Sequence, residues 1–193
     1  MTQKIALVTG GTTGIGAAIA ECLAKAGYTV GVTYYPGDAR SAELPKWLDE
    51  ERAKGFSFEA FPVDVADRAS VLALSAAVNE KLGPPLVLVN NAGITLDKMF
   101  AKMDLANFER VIQTNLMGLV YVTHAFLPGM IAAGWGRIVN MSSVNGQKGQ
   151  AGQTNYSAAK AGMIGFAKAL AQEVATKGVT VNCVTPGYTA TDM

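Results

Sequence analysis

Tyr156 and Lys160 stand four residues apart in SSVNGQKGQAGQTNYSAAKAG, residues 142–162. At helical spacing, i and i+4 project from one face. A free phenol titrates at about 10 and exchanges protons poorly at neutral pH. An ammonium beside it favours the phenolate and lowers that pKa. Tyr156 is therefore expected to act as a general acid for a carbonyl that receives a hydride. Ser143, expected to close the preceding strand, could donate to the same oxygen. Asn115 is a polar residue inside the apolar run VIQTNLMGLVYV and a poor choice for a helix interior. It is expected to hold a water that links Lys160 to solvent. Taken singly, each residue has a bland explanation, since Tyr–Lys pairs are common and a serine can simply end a strand. Together at one sheet edge they favour chemistry.

Short apolar runs must position these groups. Ile5–Val8, Thr29–Thr33, Phe58–Val63, Leu86–Val89, Ile138–Met141 and Val179–Val184 read as buried strands, rich in β-branched residues and uncharged apart from Glu59. Helical stretches lie between them, near residues 16–26, 43–54, 70–82, 105–133 and 155–177. Pro128 is expected to end or kink the fourth. The alternation predicts an α/β fold: a Rossmann-type, doubly wound parallel sheet in three layers, with residues 1–193 as a single domain. The stretch 144–154, rich in Gly and Gln, reads as an irregular loop of functional length.

The first strand runs into TGGTTGIG, Thr9–Gly16, and then into a helix. Gly10, Gly14 and Gly16 permit a tight turn and let backbone N–H groups approach a pyrophosphate at the positive end of that helix. A dinucleotide is the expected ligand. Lys160 would then reach the nicotinamide ribose, and the oxidised ring would add a second positive charge beside Tyr156. An acidic residue at the end of the second strand would hold a ribose 2′-hydroxyl, but VTYYPGDAR has no carboxylate at Thr33, Tyr34 or Tyr35. Arg40 could grip a 2′-phosphate bidentately, which favours NADPH over NADH. Asp38 could take the opposite role if the loop folds back. Asp64 could accept from an adenine amino group, or merely cap the next helix. NNAG, Asn90–Gly93, brings small residues to the carboxyl edge of the sheet.

Composition narrows the field. Of 193 residues, half are hydrophobic and 16% charged, with net charge +1, so the chain presents no basic field for nucleic acid. The N-terminal apolar run is too short for a signal peptide, and no uninterrupted apolar run has the length of a membrane span. Cys22 and Cys183 are expected to be buried thiols, which suits a reducing cytoplasm. His124 has no ligand partner in sequence and reads as structural, no metal is expected, and the methionines read as core filling.

TGGTTGIG, Asp64, NNAG, Asn115, Ser143, Tyr156-x-x-x-Lys160 and PGYTAT at Pro186–Thr191 together resemble the short-chain dehydrogenase/reductase family over the whole chain. Within it, SSVNGQKGQAGQTNYS and GWGRIVNMSS are similar to the acetoacetyl-CoA reductase branch of polyhydroxyalkanoate synthesis, with the 3-oxoacyl-[acyl-carrier-protein] reductases as sister group. The resemblance implies NADPH, an acyl-CoA thioester substrate, an (R)-3-hydroxyacyl product, a homotetramer and a cytoplasmic enzyme. It implies cofactor contacts from Thr12, Thr13, Ile15, Val65, Asn91, Ala92, Gly93, Ile94, Pro186, Gly187, Thr189 and Thr191. It implies substrate contacts from Asp97, Lys102, Gln150, Gln153, Gly187 and Tyr188. Members of the family continue beyond TATDM into a helical lid, a seventh strand and a subunit contact, which this chain is expected to lack. The rival expectation from another class is a non-catalytic NADP-binding protein, which would keep the glycine turn without needing the Tyr–Lys–Ser–Asn set.

Overall fold

The computed structural model describes residues 4–190. The β-branched runs pair as one parallel sheet of β1 (Ile5–Val8), β2 (Thr29–Tyr34), β3 (Phe58–Pro62), β4 (Val87–Asn90), β5 (Gly136–Met141) and β6 (Val179–Val184). The strand order is β3-β2-β1-β4-β5-β6. Ala6 of β1 lies opposite Val30 on one side and Val87 on the other. All four residues of β1 are buried, as a central strand covered on both faces requires.

The connecting helices are α1 (Gly14–Lys25), α2 (Leu44–Ala53), α3 (Arg68–Lys81), α4 (Leu105–Ile112), α5 (Gly118–Ala132), α6 (Val144–Lys148) and α7 (Thr154–Val174). Side chains alternate across each strand, so each face takes its own set. Ala6, Val8, Val30 and Val32 pack with Ala20, Ile19 and Leu23 of α1 and with Trp47 of α2. Leu7, Leu88 and Ile138 point the other way, into Val71 and Leu74 of α3, Val122 and Phe126 of α5, and Leu170 and Val174 of α7. Leu7, Leu88 and Ile138 are fully buried, each contributing about 1.5–3 kcal/mol of transfer free energy.

Several elements depart from the sequence expectation. The helix expected over residues 105–133 is interrupted at Gln113–Met117 by a π turn. It is not ended at Pro128, through which α5 runs to Ala132; burial of Phe126 and Met130 on the sheet outweighs one lost backbone bond. The continuous run Leu105–Ala132 has 28 residues, and an 18-residue window within it has a mean hydropathy of 1.3, long and apolar enough to cross a membrane by length and composition. Here Val122, Phe126 and Met130 face the core of the fold. Part of the supposed loop 144–154 is the short helix α6. Cys22 is exposed rather than buried, and Cys183 is half-buried. His124 lies exposed on α5. Met130 and Met163 fill the core as expected, whereas Met99 is 62% exposed.

Candidate active site

The winding reverses between β1 and β4, so the loops that leave these strands diverge at the carboxyl edge. Thr9–Gly16 leaves β1 there. Gly10 takes φ +60°, and a Cβ on Gly16 would lie 2.1 Å from the Gly10 carbonyl and 2.6 Å from Asn91 Nδ2. Only glycine fits both demands. Thr13 precedes α1 but no side chain caps that helix, and its first turn carries no acidic residue. The amide groups at the start of α1 are thus left for an anionic group. Thr12 and Ile15 are half-buried and Thr13 and Gly14 exposed along the same turn. These features fit the pyrophosphate of a dinucleotide.

The NNAG segment is fastened to the turn. Thr9 Oγ1 accepts from the backbone N–H of Asn91 at 2.9 Å and of Ala92 at 3.0 Å. Asn91 Nδ2 donates to the carbonyls of Thr9 and Gly10, both at 3.0 Å. Gly10 N donates to Thr33 Oγ1 at 3.2 Å, which ties in the end of β2. Thr9 and Thr33 were not legible as site residues, although Thr9 opens the TGG signature.

Beyond β2, Asp38 turns back on Arg40. Its Oδ1 accepts from the Arg40 backbone N–H at 2.9 Å, and its Oδ2 lies 2.6 Å from Nη2. The guanidinium and that N–H together hold the Asp38 carboxyl below its usual range. The two residues form one unit. Asp64 is half-buried, and its Oδ1 accepts from Ala66 N at 2.9 Å. The helix-capping alternative for Asp64 belongs instead to Asp67, which accepts from Ala69 N. Val65 is buried and packs beside Gly118.

The π turn presents Asn115, fully buried, to Ile94. Its Oδ1 accepts from Ile94 N at 2.8 Å and its Nδ2 donates to Ile94 O at 2.9 Å. The side chain expected to hold a water is bonded on both its polar atoms to the backbone that follows NNAG. A Cβ on Gly93 would sit 3.1 Å from Asn115 Oδ1 and 3.7 Å from Lys160 Nζ, so this strand end, the π turn and α7 converge.

Ser143 lies beyond β5 and caps α6, its Oγ accepting from Asn145 N at 3.1 Å. It also lies beside the phenol of Tyr156 and favours its charged form. Lys160 is buried, and its Nζ donates to the Met141 carbonyl at 2.7 Å and sits 5.4 Å from the centre of the Tyr156 ring. Burial pushes the Lys160 ammonium down to about 8. An ammonium beside the phenol is expected to lower it; in this structure Tyr156 is raised. Burial is the main cause, Ser143 acts against it, and the Asp97 carboxylate adds to it. The Lys160 ammonium is directed at Met141 O and is not among the groups that shift Tyr156.

Two lips frame the mouth. One is the segment 94–104, whose Asp97, Lys98, Lys102 and Asp104 line an open cavity of about 380 Å³ together with Asn107 of α4. The other is α6 and the turn to α7. Lys98 N donates to Gly152 O at 2.8 Å, and Asn155 Nδ2 to Leu96 O at 2.9 Å. Gln153 bridges the lips, accepting from Asn145 Nδ2 at 2.8 Å and donating to Asp97 Oδ2 at 2.6 Å. Gln150 is half-buried on the same turn. Val144 N donates to Pro186 O at 3.0 Å, bringing the segment after β6 alongside; Gly187 and Thr189 are exposed there, and Tyr188 is 86% exposed. Thr191 lies outside the described residues. Asn145 and Asn155 join the site without a local sequence signal, because their partners are more than a helical turn away.

A glycine-turn dinucleotide cradle beside a cluster of half-buried Tyr156 with buried Ser143 and Lys160, on a sheet of this order, defines a nicotinamide-dependent oxidoreductase. The family model described as short chain dehydrogenase matches residues 4–193, and the chain belongs to that family. It is 56% identical over 193 residues to nodulation protein G of Azospirillum brasilense and, equally, to an acetoacetyl-CoA reductase of Cupriavidus necator, in each case spanning all of this chain and 77% of the relative. It is 45% identical to a 3-oxoacyl-[acyl-carrier-protein] reductase of Pseudomonas aeruginosa, over 98% of this chain and 75% of that protein.

Proposed function

We propose that this protein uses NADPH to reduce acetoacetyl-CoA to (R)-3-hydroxybutanoyl-CoA in polyhydroxybutyrate synthesis, as a cytoplasmic homotetramer. The observation that carries the reading is the convergence of Tyr156, Ser143 and Lys160 beside the glycine turn, in a chain at least 50% identical to several acetoacetyl-CoA reductases. NADPH is supported by the missing carboxylate at the end of β2 and by the Asp38–Arg40 unit just beyond it, in which the acidic group is already paired with a cation. Assembly is supported by the exposed small residues Ala158, Ala161, Gly165 and Ala169 of α7 and by exposed Leu105 on the neighbouring α4.

The bound nicotinamide supplies the hydride. As the β-carbonyl carbon accepts it, the carbonyl π pair moves onto oxygen. Ser143 Oγ donates a hydrogen bond to that oxygen, and Tyr156 gives it the proton. The phenolate left on Tyr156 lies close to the Lys160 ammonium, which offsets its charge. Lys160, through Met141 O, fastens α7 to the end of β5, and Asn115, through Ile94, fastens the π turn to the segment that follows β4. Reprotonation of Tyr156 from solvent completes the cycle.

The test is NADPH oxidation with acetoacetyl-CoA and, in parallel, with the acetoacetyl thioester of an acyl carrier protein. Turnover favouring the CoA ester is expected. A clear preference for the carrier protein would move the protein to fatty-acid synthesis, and NADPH binding without turnover on either would make it a binding protein.

A further inference from the structure

Asn145 is 6% exposed, at the start of a five-residue helix, and belongs to neither of the motifs that flank it. Three of its atoms have defined surroundings. Its backbone N–H donates to Ser143 Oγ, its Nδ2 donates to Gln153 Oε1, and its Oδ1 is buried without a partner. The direction of these bonds is imposed from the far lip. Asp97 accepts from Thr95 Oγ1 and from Gln153 Nε2, and as a carboxylate it can only accept. Gln153 must therefore turn its NH₂ towards Asp97 and its carbonyl towards Asn145. Asn145 must in turn present its NH₂ to Gln153, which leaves its own carbonyl as the unpaired end. Because Ser143 Oγ accepts from Asn145 N, its single proton remains for the Tyr156 side.

Resting on the reductase reading above, we propose that Asn145 is a positioning residue for the reduction: it aligns Ser143 through a hydrogen-bond chain Asn145–Gln153–Asp97 whose polarity the Asp97 carboxylate sets. The lips are stitched independently by Lys98 N to Gly152 O and by Asn155 Nδ2 to Leu96 O. The chain is thus not needed to bring the lips together, and its effect falls on alignment of the reacting groups.

A double-mutant cycle between residues 145 and 97, which are joined only through Gln153, tests the polarity. Asn145→Asp is nearly isosteric but puts an acceptor against Gln153 Oε1, and turning Gln153 over only moves the clash to Asp97. It should lower kcat with acetoacetyl-CoA by about tenfold or more at a pH well above the carboxylate range, while Kd for NADPH stays within about twofold. Asp97→Asn can still accept from Gln153, and its own kcat is the reference against which position 145 is read. In the double variant Gln153 can turn over, donating to the new carboxylate at position 145 and accepting from the new amide at position 97. That should restore kcat to within about threefold of Asp97→Asn alone. Lowering the pH should restore Asn145→Asp, whose protonated carboxyl can donate, and leave the double variant unimproved. Additive losses, or an Asn145→Asp variant as active as wild type, would overturn the proposal. If wild type itself does not turn over acetoacetyl-CoA, the activity reading alone fails. The same cycle is then read in Tm, where additive shifts would overturn the chain.

Discussion

Tyr156 must hold a proton until the carbonyl oxygen needs one, and its surroundings favour that state. Burial and the Asp97 carboxylate both push the phenol upward, and only Ser143 acts the other way. Tyr156→Phe removes one hydroxyl without altering the helix, so the fold and cofactor affinity should persist while kcat falls by about 10²–10⁴-fold. Loss of less than about tenfold would take the proton-donor role away from Tyr156. The Asp97 charge gives a second test. Reduction needs the protonated phenol, so activity is present at low pH and declines as pH rises through the phenol pKa. Asp97→Asn removes a negative neighbour, lowers that pKa, and should move the basic limb of the kcat–pH profile towards lower pH. A limb that stays in place or moves upward would show that Asp97 does not act on Tyr156 through its charge.

The elements matter because each site residue sits where an element starts, ends or distorts. Ser143 caps α6, Gly14–Gly16 open α1, and Asn115 occupies a π turn between α4 and α5. A π turn inserts one extra residue into the helical winding, and such turns recur at functional sites. Asn115→Ala would leave the N–H and C=O of Ile94 unpaired in a confined place, at a cost of about 1–3 kcal/mol. Because Ile94 follows NNAG, the loss should appear both in Tm and as weaker binding of the nicotinamide nucleotide. Asn115→Ala binding the cofactor as tightly as wild type would confine its role to stability. The strands were legible because parallel strands read as β-branched runs: β1, buried throughout, and β6, an edge strand buried only at alternate residues, match their expected spans residue for residue. The i,i+4 spacing of Tyr156 and Lys160 likewise survives, since both lie on α7. The π turn was not legible: local propensity marks Asn115 as misplaced but not what it bonds. Nor was the chain from Asn145 to Asp97, because it is set by the meeting of two lips whose residues 97 and 153 are 56 apart in sequence.

At the scale of the whole molecule, the choice between coenzyme A and a carrier protein has to be made by surface, because the β-carbonyl is the same in both substrates. An acyl carrier protein is acidic and docks through complementary charge, so its recognition needs a basic field around the mouth and weakens with salt. The lips of this site carry Lys98, Lys102 and Lys148, but Asp97 and Asp104 stand among them, and Lys148 lies over the ring of exposed Tyr188 at 5.9 Å. With a net charge of +1 over 193 residues, no wider field compensates. A mixed mouth of this kind suits a slender pantetheine arm with a nucleotide phosphate at its end. It lies alongside an open cavity of about 380 Å³, lined by both lysines of the first lip. The expected outcome is a higher kcat/KM for acetoacetyl-CoA than for the carrier-protein thioester at equal ionic strength, with a shallow dependence on salt. Lys98→Glu and Lys102→Glu should each raise KM for the CoA ester several-fold while leaving kcat nearly unchanged, since a surface charge that steers binding contributes alike to the ground and transition states. A steep loss of carrier-protein activity with salt, abolished by the same substitutions, would instead identify this mouth as a docking face for a protein.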